Sequence, residues 1–145
     1  MVVIGIDPGV HTGVAVYIDG KLHRCESMGA HEAWALVRGL AECGPPVMVV
    51  FEDARLIGGI GGAKVGSKEA AARAQGAGSV KRDCALWAEL LEELGCPYRS
   101  ISPKAKGAKV GAEEFARITG WSWRTNCHGR DAAMIAWAFR NQRNV

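Results

Sequence analysis

The chain reads as α/β, with a mixed five-stranded sheet of three antiparallel strands and then two parallel ones, flanked by helices. Two observations predict this. Residues 2–26 hold three β-type runs separated by turn signals. After them, an apolar run ending at Phe51 and a short strand ending at Ile101 each follow a stretch with helical spacing, the pattern of parallel strands joined by crossovers. The 145 residues, 48% hydrophobic and 23% charged, fit one globular domain over 1–145 with one core.

Residues 2–7 are an apolar run ending in Asp-Pro-Gly, a buried strand and then a turn. Residues 13–18 and 21–26 form two more strands, joined by the hairpin signal Asp19-Gly20. From His31 to Cys43, Trp34, Leu36, Val37 and Leu40 repeat at helical spacing, and Gly44 with Pro45-Pro46 stops the helix. Val47 to Phe51 is apolar throughout, as a strand buried on both faces should be.

Residues 57–66 carry four glycines in GGIGG, which opposes any regular element. A long helix follows from Ser67, a candidate N-cap, to Leu94, with Gly76 and Gly78 weakening it or admitting a neighbouring backbone. Residues 97–101 make a short last strand and 113–118 a short helix. Thr125 or Asn126 caps a final helix from about Cys127 to Asn141.

No apolar run approaches the roughly 20 residues of a membrane helix, and MVVIGID lacks the basic start of a signal peptide. The five cysteines are odd in number and lack C-x-x-C spacing, so they are expected to be reduced thiols in a cytoplasmic protein. The net charge is only +3 but unevenly spread. Arg55, Lys64, Lys68, Arg73, Lys81 and Arg82 share their span with one acid, Glu69; residues 98–111 carry Arg99, Lys104, Lys106 and Lys109 and no acid. Basic patches beside an acidic cluster suit a protein that holds a phosphate backbone, although a solvated basic surface has the same composition.

The acids that carry chemistry sit at the ends of apolar stretches: Asp7, Glu52 and Asp131. With the first and fourth strands adjacent and parallel, Asp7 and Glu52 emerge at one sheet edge. The last helix adds His128 and Asp131, three apart and so on one face. Carboxylates beside a packed core are costly unless paired, and a divalent cation between them is the expected partner. Oxygen donors select Mg2+, with Mn2+ as substitute. Two such ions about 3.5–4 Å apart can run in-line phosphodiester hydrolysis. Asp7, from the central strand, is the natural bridging ligand; His128 would ligate, orient the water or take its proton. Singly, each residue has a plainer explanation: a turn at Asp7, a strand end at Glu52 beside Arg55, helix first-turn positions at His128 and Asp131. Asp53 points to the opposite face by strand alternation and ranks below Glu52.

These segments resemble the RuvC-type Holliday junction resolvases of the RNase H-like nuclease superfamily. The resemblance is carried by VIGIDPGVHTGVAVY, VVFED, ARAQGAGSV, SPKAKGAKVG and HGRDAAMIAWA, and covers almost the whole chain. It implies an RNase H-like fold with Asp7, Glu52, His128 and Asp131 as the metal and catalytic positions. It also implies a lysine near the scissile phosphate, among Lys104, Lys106 and Lys109. The DNA-binding set is then Arg55, Lys64, Lys68, Arg73, Lys81, Arg82, these three lysines and Arg130. The family works as a homodimer, nicking four-way junctions symmetrically with two Mg2+ ions per site and leaving 5′-phosphates.

There are departures. The turn after Asp-Pro-Gly is one residue shorter, and Arg55, Leu56, Ile57 and GGIGG stand where bacterial members carry an aromatic wedge. A divergent, phage-type member fits these differences. A broader nuclease for flaps and forks is the first alternative, and a non-catalytic DNA-binding module the second. A phosphotransferase would need a second domain. Trp121 and Trp123 are candidates for base stacking or for core anchors, and Trp87, Leu90, Leu91 and Leu94 for the core or a dimer face.

Overall fold

The computed structural model describes residues 1–56 and 68–143, and backbone only over 69–74. The glycine tract, Lys64 and the Ser67 cap lie outside the described residues. The strands are β1 (Val2–Asp7), β2 (His11–Ile18), β3 (Lys21–Gly29), β4 (Val47–Glu52) and β5 (Tyr98–Ile101). The helices are α1 (Ala30–Cys43), α2 (Lys68–Leu94), α3 (Pro103–Lys106), α4 (Ala112–Thr119) and α5 (Cys127–Trp137). The sheet order is β3-β2-β1-β4-β5. β1, β2 and β3 pair antiparallel, while β4 runs parallel to both β1 and β5. This is the mixed sheet the sequence predicts.

Local chemistry accounts for the turns. Asp19 (φ 49°) and Gly20 (φ 83°) both take the left-handed backbone that a two-residue hairpin requires. Between β1 and β2, the buried Thr12 hydroxyl donates to the Gly9 carbonyl (2.8 Å) and closes the Asp-Pro-Gly turn. Two short elements escape the sequence reading: a 3-10 turn at Ala54–Leu56 and the four-residue α3. Ser102 caps α3 and Pro103 opens it, a signal present in SPKAK. The last helix ends at Trp137, four residues before the expected Asn141. α2 runs through Gly76 and Gly78 without a break, and among the described residues a Cβ at either would meet nothing within 4 Å.

Alternation gives the sheet two different faces. Val2, Ile4, Ile6, Val14, Val16, Val47, Val49 and Phe51 pack against α1 and α2, whose Val37, Trp87, Leu90 and Leu91 are buried there. Trp87 and its leucine neighbours thus belong to the core. On the other face Val3, Ala15, Tyr17, Met48 and Val50 meet α5, which offers Ala132, Ala133, Ile135 and Ala136. Here the backbones nearly touch. A Cβ at Gly5 would overlap the Ala132 carbonyl oxygen, and one at Gly13 the His128 carbonyl oxygen. From α5 itself, a Cβ at Gly129 would press on Glu26 N at 2.9 Å. Tyr17 Oη adds a tie, donating to the Ala133 carbonyl at 2.8 Å. Small residues on both sides therefore seat α5 directly on β1, β2 and β3. Among the described residues, no helix is long and apolar enough to cross a membrane. All five cysteines are free thiols.

Candidate active site

Strand alternation decides which acids meet. Ile6 and Phe51 face α1 and α2, so the next residues, Asp7 and Glu52, fall on the α5 side. Parallel pairing sets Ile6 level with Phe51, and the two carboxylates leave the sheet side by side. Asn126 caps α5 by accepting from Gly129 N (2.8 Å), which places His128 and Asp131 on the first helical turns above them. The result is an open cleft of about 400 Å³ lined by Asp7, Glu52, His128 and Asp131, with the Pro8–His11 turn, Val80, Lys106 and Lys109.

The cleft already contains a cation. Lys106 Nζ lies 3.1 Å from Glu52 Oε2 and 3.7 Å from Asp131 Oδ1, with its side chain only 10% exposed. Lys109, 75% exposed, stands at the rim with Nζ 3.8 Å from Asp131 Oδ2. Lys104 is exposed on α3. Of the three candidate lysines, then, Lys106 is the one whose side chain is mostly buried, shared between Glu52 and Asp131. His128 Nδ1 lies 3.7 Å from Asp7 Oδ2. Burial, and then the charges of Glu52 and Asp131, push the Asp7 carboxyl up to about 6, against the opposing pull of Lys106 and His128. Burial works against the Lys106 ammonium, but Glu52, Asp131 and Asp7 outweigh it and raise its pKa above the ordinary lysine value.

The donor set suits a hard divalent cation. All three acids are oxygen donors, and Asp7 suffers like-charge repulsion that such an ion would relieve. Buried Glu52 Oε2 has the Lys106 ion pair at 3.1 Å, yet no contact with hydrogen-bond geometry. Among the described residues, no three His, Cys, Asp or Glu side chains are drawn close enough to hold an ion. Glu52 and Asp131 instead share the Lys106 ammonium, and Asp7, Glu52 and Asp131 are the residues that would hold an ion. Lys106→Met should leave the carboxylates uncompensated. In EDTA it should destabilise the protein by on the order of 2 kcal/mol, less than a fully buried pair would cost because Asp7 can take a proton. Added Mg2+ should restore the loss in urea unfolding; an unchanged midpoint in EDTA would show that the lysine carries no structural charge.

Two arginines have internal roles. Arg55 pairs with buried Asp53 rather than Glu52, donating from Nε (2.9 Å) and Nη2 (2.8 Å). Those bonds hold the Asp53 carboxyl below its usual range in spite of burial. Arg130 is half-buried; its Nε donates to the Val110 carbonyl (3.1 Å) and its Nη1 to Thr125 Oγ1 (2.8 Å). It therefore ties the lysine segment to the loop before α5, a role its neighbourhood in sequence does not announce. Lys68 and Arg82 are exposed and Lys81 half-buried on α2. Lys64 and the side chain of Arg73 lie outside the described residues. The tryptophan pair divides: Trp121 packs on the α5 core, while Trp123 is 76% exposed.

No protein-family model and no curated protein matches the chain. Among solved structures, one titled "T. thermophilus RuvC in complex with Holliday junction substrate" matches with a TM-score of 0.56 and 23% identity, over 94% of this chain and 91% of that one. The fold is that of RuvC. On this RuvC-like frame one further cleft residue stands out. His11, the first residue of β2, sets its ring 6.0 Å from that of His128, tilted by 34°. Sequence reasoning passed over it, although it shares a strand face with Gly13, the residue against which α5 is seated.

Proposed function

We propose that this protein is a metal-dependent endonuclease that nicks four-way DNA junctions symmetrically, as a homodimer, leaving 5′-phosphates. The observation that carries the reading is that Asp7, Glu52 and Asp131, from β1, β4 and α5, line one open cleft, with Lys106 between Glu52 and Asp131. The RuvC fold of a protein bound to a Holliday junction supports the choice of substrate. Asp7, Glu52 and Asp131, with His128 beside Asp7, would hold Mg2+ or Mn2+ as a pair of ions that activate water and neutralise the leaving 3′-oxygen. Lys109 at the rim meets the incoming phosphate, and Lys106 moves from the carboxylates to the scissile phosphate. His128 orients the water or takes its proton.

The test uses immobile four-way junctions, flaps and linear duplex, with and without Mg2+. Paired nicks in opposite strands of the junction, only with metal, are the expected result. Flap cutting at a similar rate would make the enzyme a broader branched-DNA nuclease. Tight binding without cutting in Mg2+ or Mn2+ would leave a non-catalytic DNA-binding module.

A further inference from the structure

The loop from Gly120 to Asn126 is held at both ends and presents an indole at its middle. At one end, left-handed Gly120 closes α4 through its N–H to Ala116 O (2.9 Å), Trp121 N donates to Thr119 Oγ1 (3.2 Å), and the partly buried Trp121 ring packs against the α5 core. At the other, Thr125 Oγ1 accepts from Arg130, while Asn126 caps α5 and donates to Ser27 Oγ at 2.8 Å. Between these ties Trp123 is 76% exposed and followed by exposed Arg124. A large apolar ring kept in water on an anchored loop forgoes the burial that stabilises such side chains elsewhere. The same Arg130 also bonds Val110, just past Lys109, so the indole loop and the lysine rim of the cleft are fastened to one side chain.

We propose that Trp123 and Arg124 form a binding site for an unpaired base of branched DNA, Trp123 stacking on the base and Arg124 meeting its phosphate. An indole face needs a bare base face, which paired duplex covers and a branch point or fork exposes. The site rests on the DNA-nuclease reading above and adds to it a strand-recognising element outside the acidic cleft.

Wild type, Trp123→Ala and Trp123→Phe are compared in EDTA, where nothing is cut, on a fork with unpaired bases and on linear duplex. Tryptophan emission and anisotropy are the readouts. The fork should quench wild-type emission. Trp123→Ala should lose that quench and bind the fork about tenfold more weakly, Trp123→Phe should recover the affinity, and duplex binding should change less than about twofold. Unchanged fork affinity in Trp123→Ala, or an equal loss on duplex, would overturn the site. If wild type binds no DNA of any form, the nuclease reading itself falls. If it binds and cuts while Trp123→Ala does both equally well, only the stacking site falls.

Discussion

Asp7→Asn is expected to abolish cleavage and, in the same protein, to raise metal-free stability. The loss of cutting should be about a thousandfold or more, because the central carboxylate of the cluster is gone. The gain in stability follows from charge. The Asp7 carboxyl is pushed up to about 6 by burial and by Glu52 and Asp131. A group whose folded pKa exceeds its unfolded value favours folding when protonated, so this contribution is full below about pH 4 and lost as pH rises through about 6. Ionised Asp7 then costs at most about 2–3 kcal/mol at neutral pH. A neutral amide of the same shape removes that cost, worth up to about 10 °C in melting temperature for a chain of this size. Melting curves in EDTA at pH 5 and pH 8 check the sign. The wild type should lose ground between the two, and Asp7→Asn should hold. An Asn variant that melts lower at pH 8 would mean that the Lys106 and His128 contacts outweigh the repulsion.

Gly13→Ala should cut cleavage about a hundredfold while the protein stays folded. The added methyl overlaps the His128 carbonyl oxygen and crowds Asp7 Cβ at 3.1 Å. α5 must back away from β2 at the turn that carries His128 and Asp131. A displacement of about 1 Å at a reacting centre is worth roughly a hundredfold in rate, whereas overpacking of this kind costs about 1–3 kcal/mol. Gly39→Ala is the control. It lies within α1 with nothing within 4 Å of its would-be Cβ, and should stabilise the protein by about 0.5–1 kcal/mol. Wild-type cutting by Gly13→Ala would show that the site tolerates a displaced α5.

Features that repeat along the chain were readable from the chain. Apolar runs marked β1 and β4 and turn signals bounded β2 and β3, while strand alternation placed Glu52, not Asp53, on the side of Asp7. The His128–Asp131 spacing put both on one helical face. What the sequence hid depends on contacts between distant segments. Nothing near Lys106 distinguishes it from Lys104 or Lys109; only the folded position of α3, just after β5, brings that ammonium to Glu52. Arg130 looked like one more basic residue beside an acid, yet its partners lie 20 and 5 positions away. Trp121 and Trp123 are two apart and chemically identical, and the core admits one of them. The glycine signals at Gly5 and Gly13 were present, but their meaning lies in a helix more than a hundred residues further along.

Many small metalloproteins collapse when their ion is withdrawn, because unpaired ligands cannot stay together. Here an ammonium on the chain itself stands among the acids. On the proposed metal-dependent reading, chelation should therefore leave a folded, dormant form that resumes work when the ion returns, without passing through the unfolded state. On the same reading, a drop in free Mg2+ in a cell would act on this protein as a pause rather than as a route to degradation.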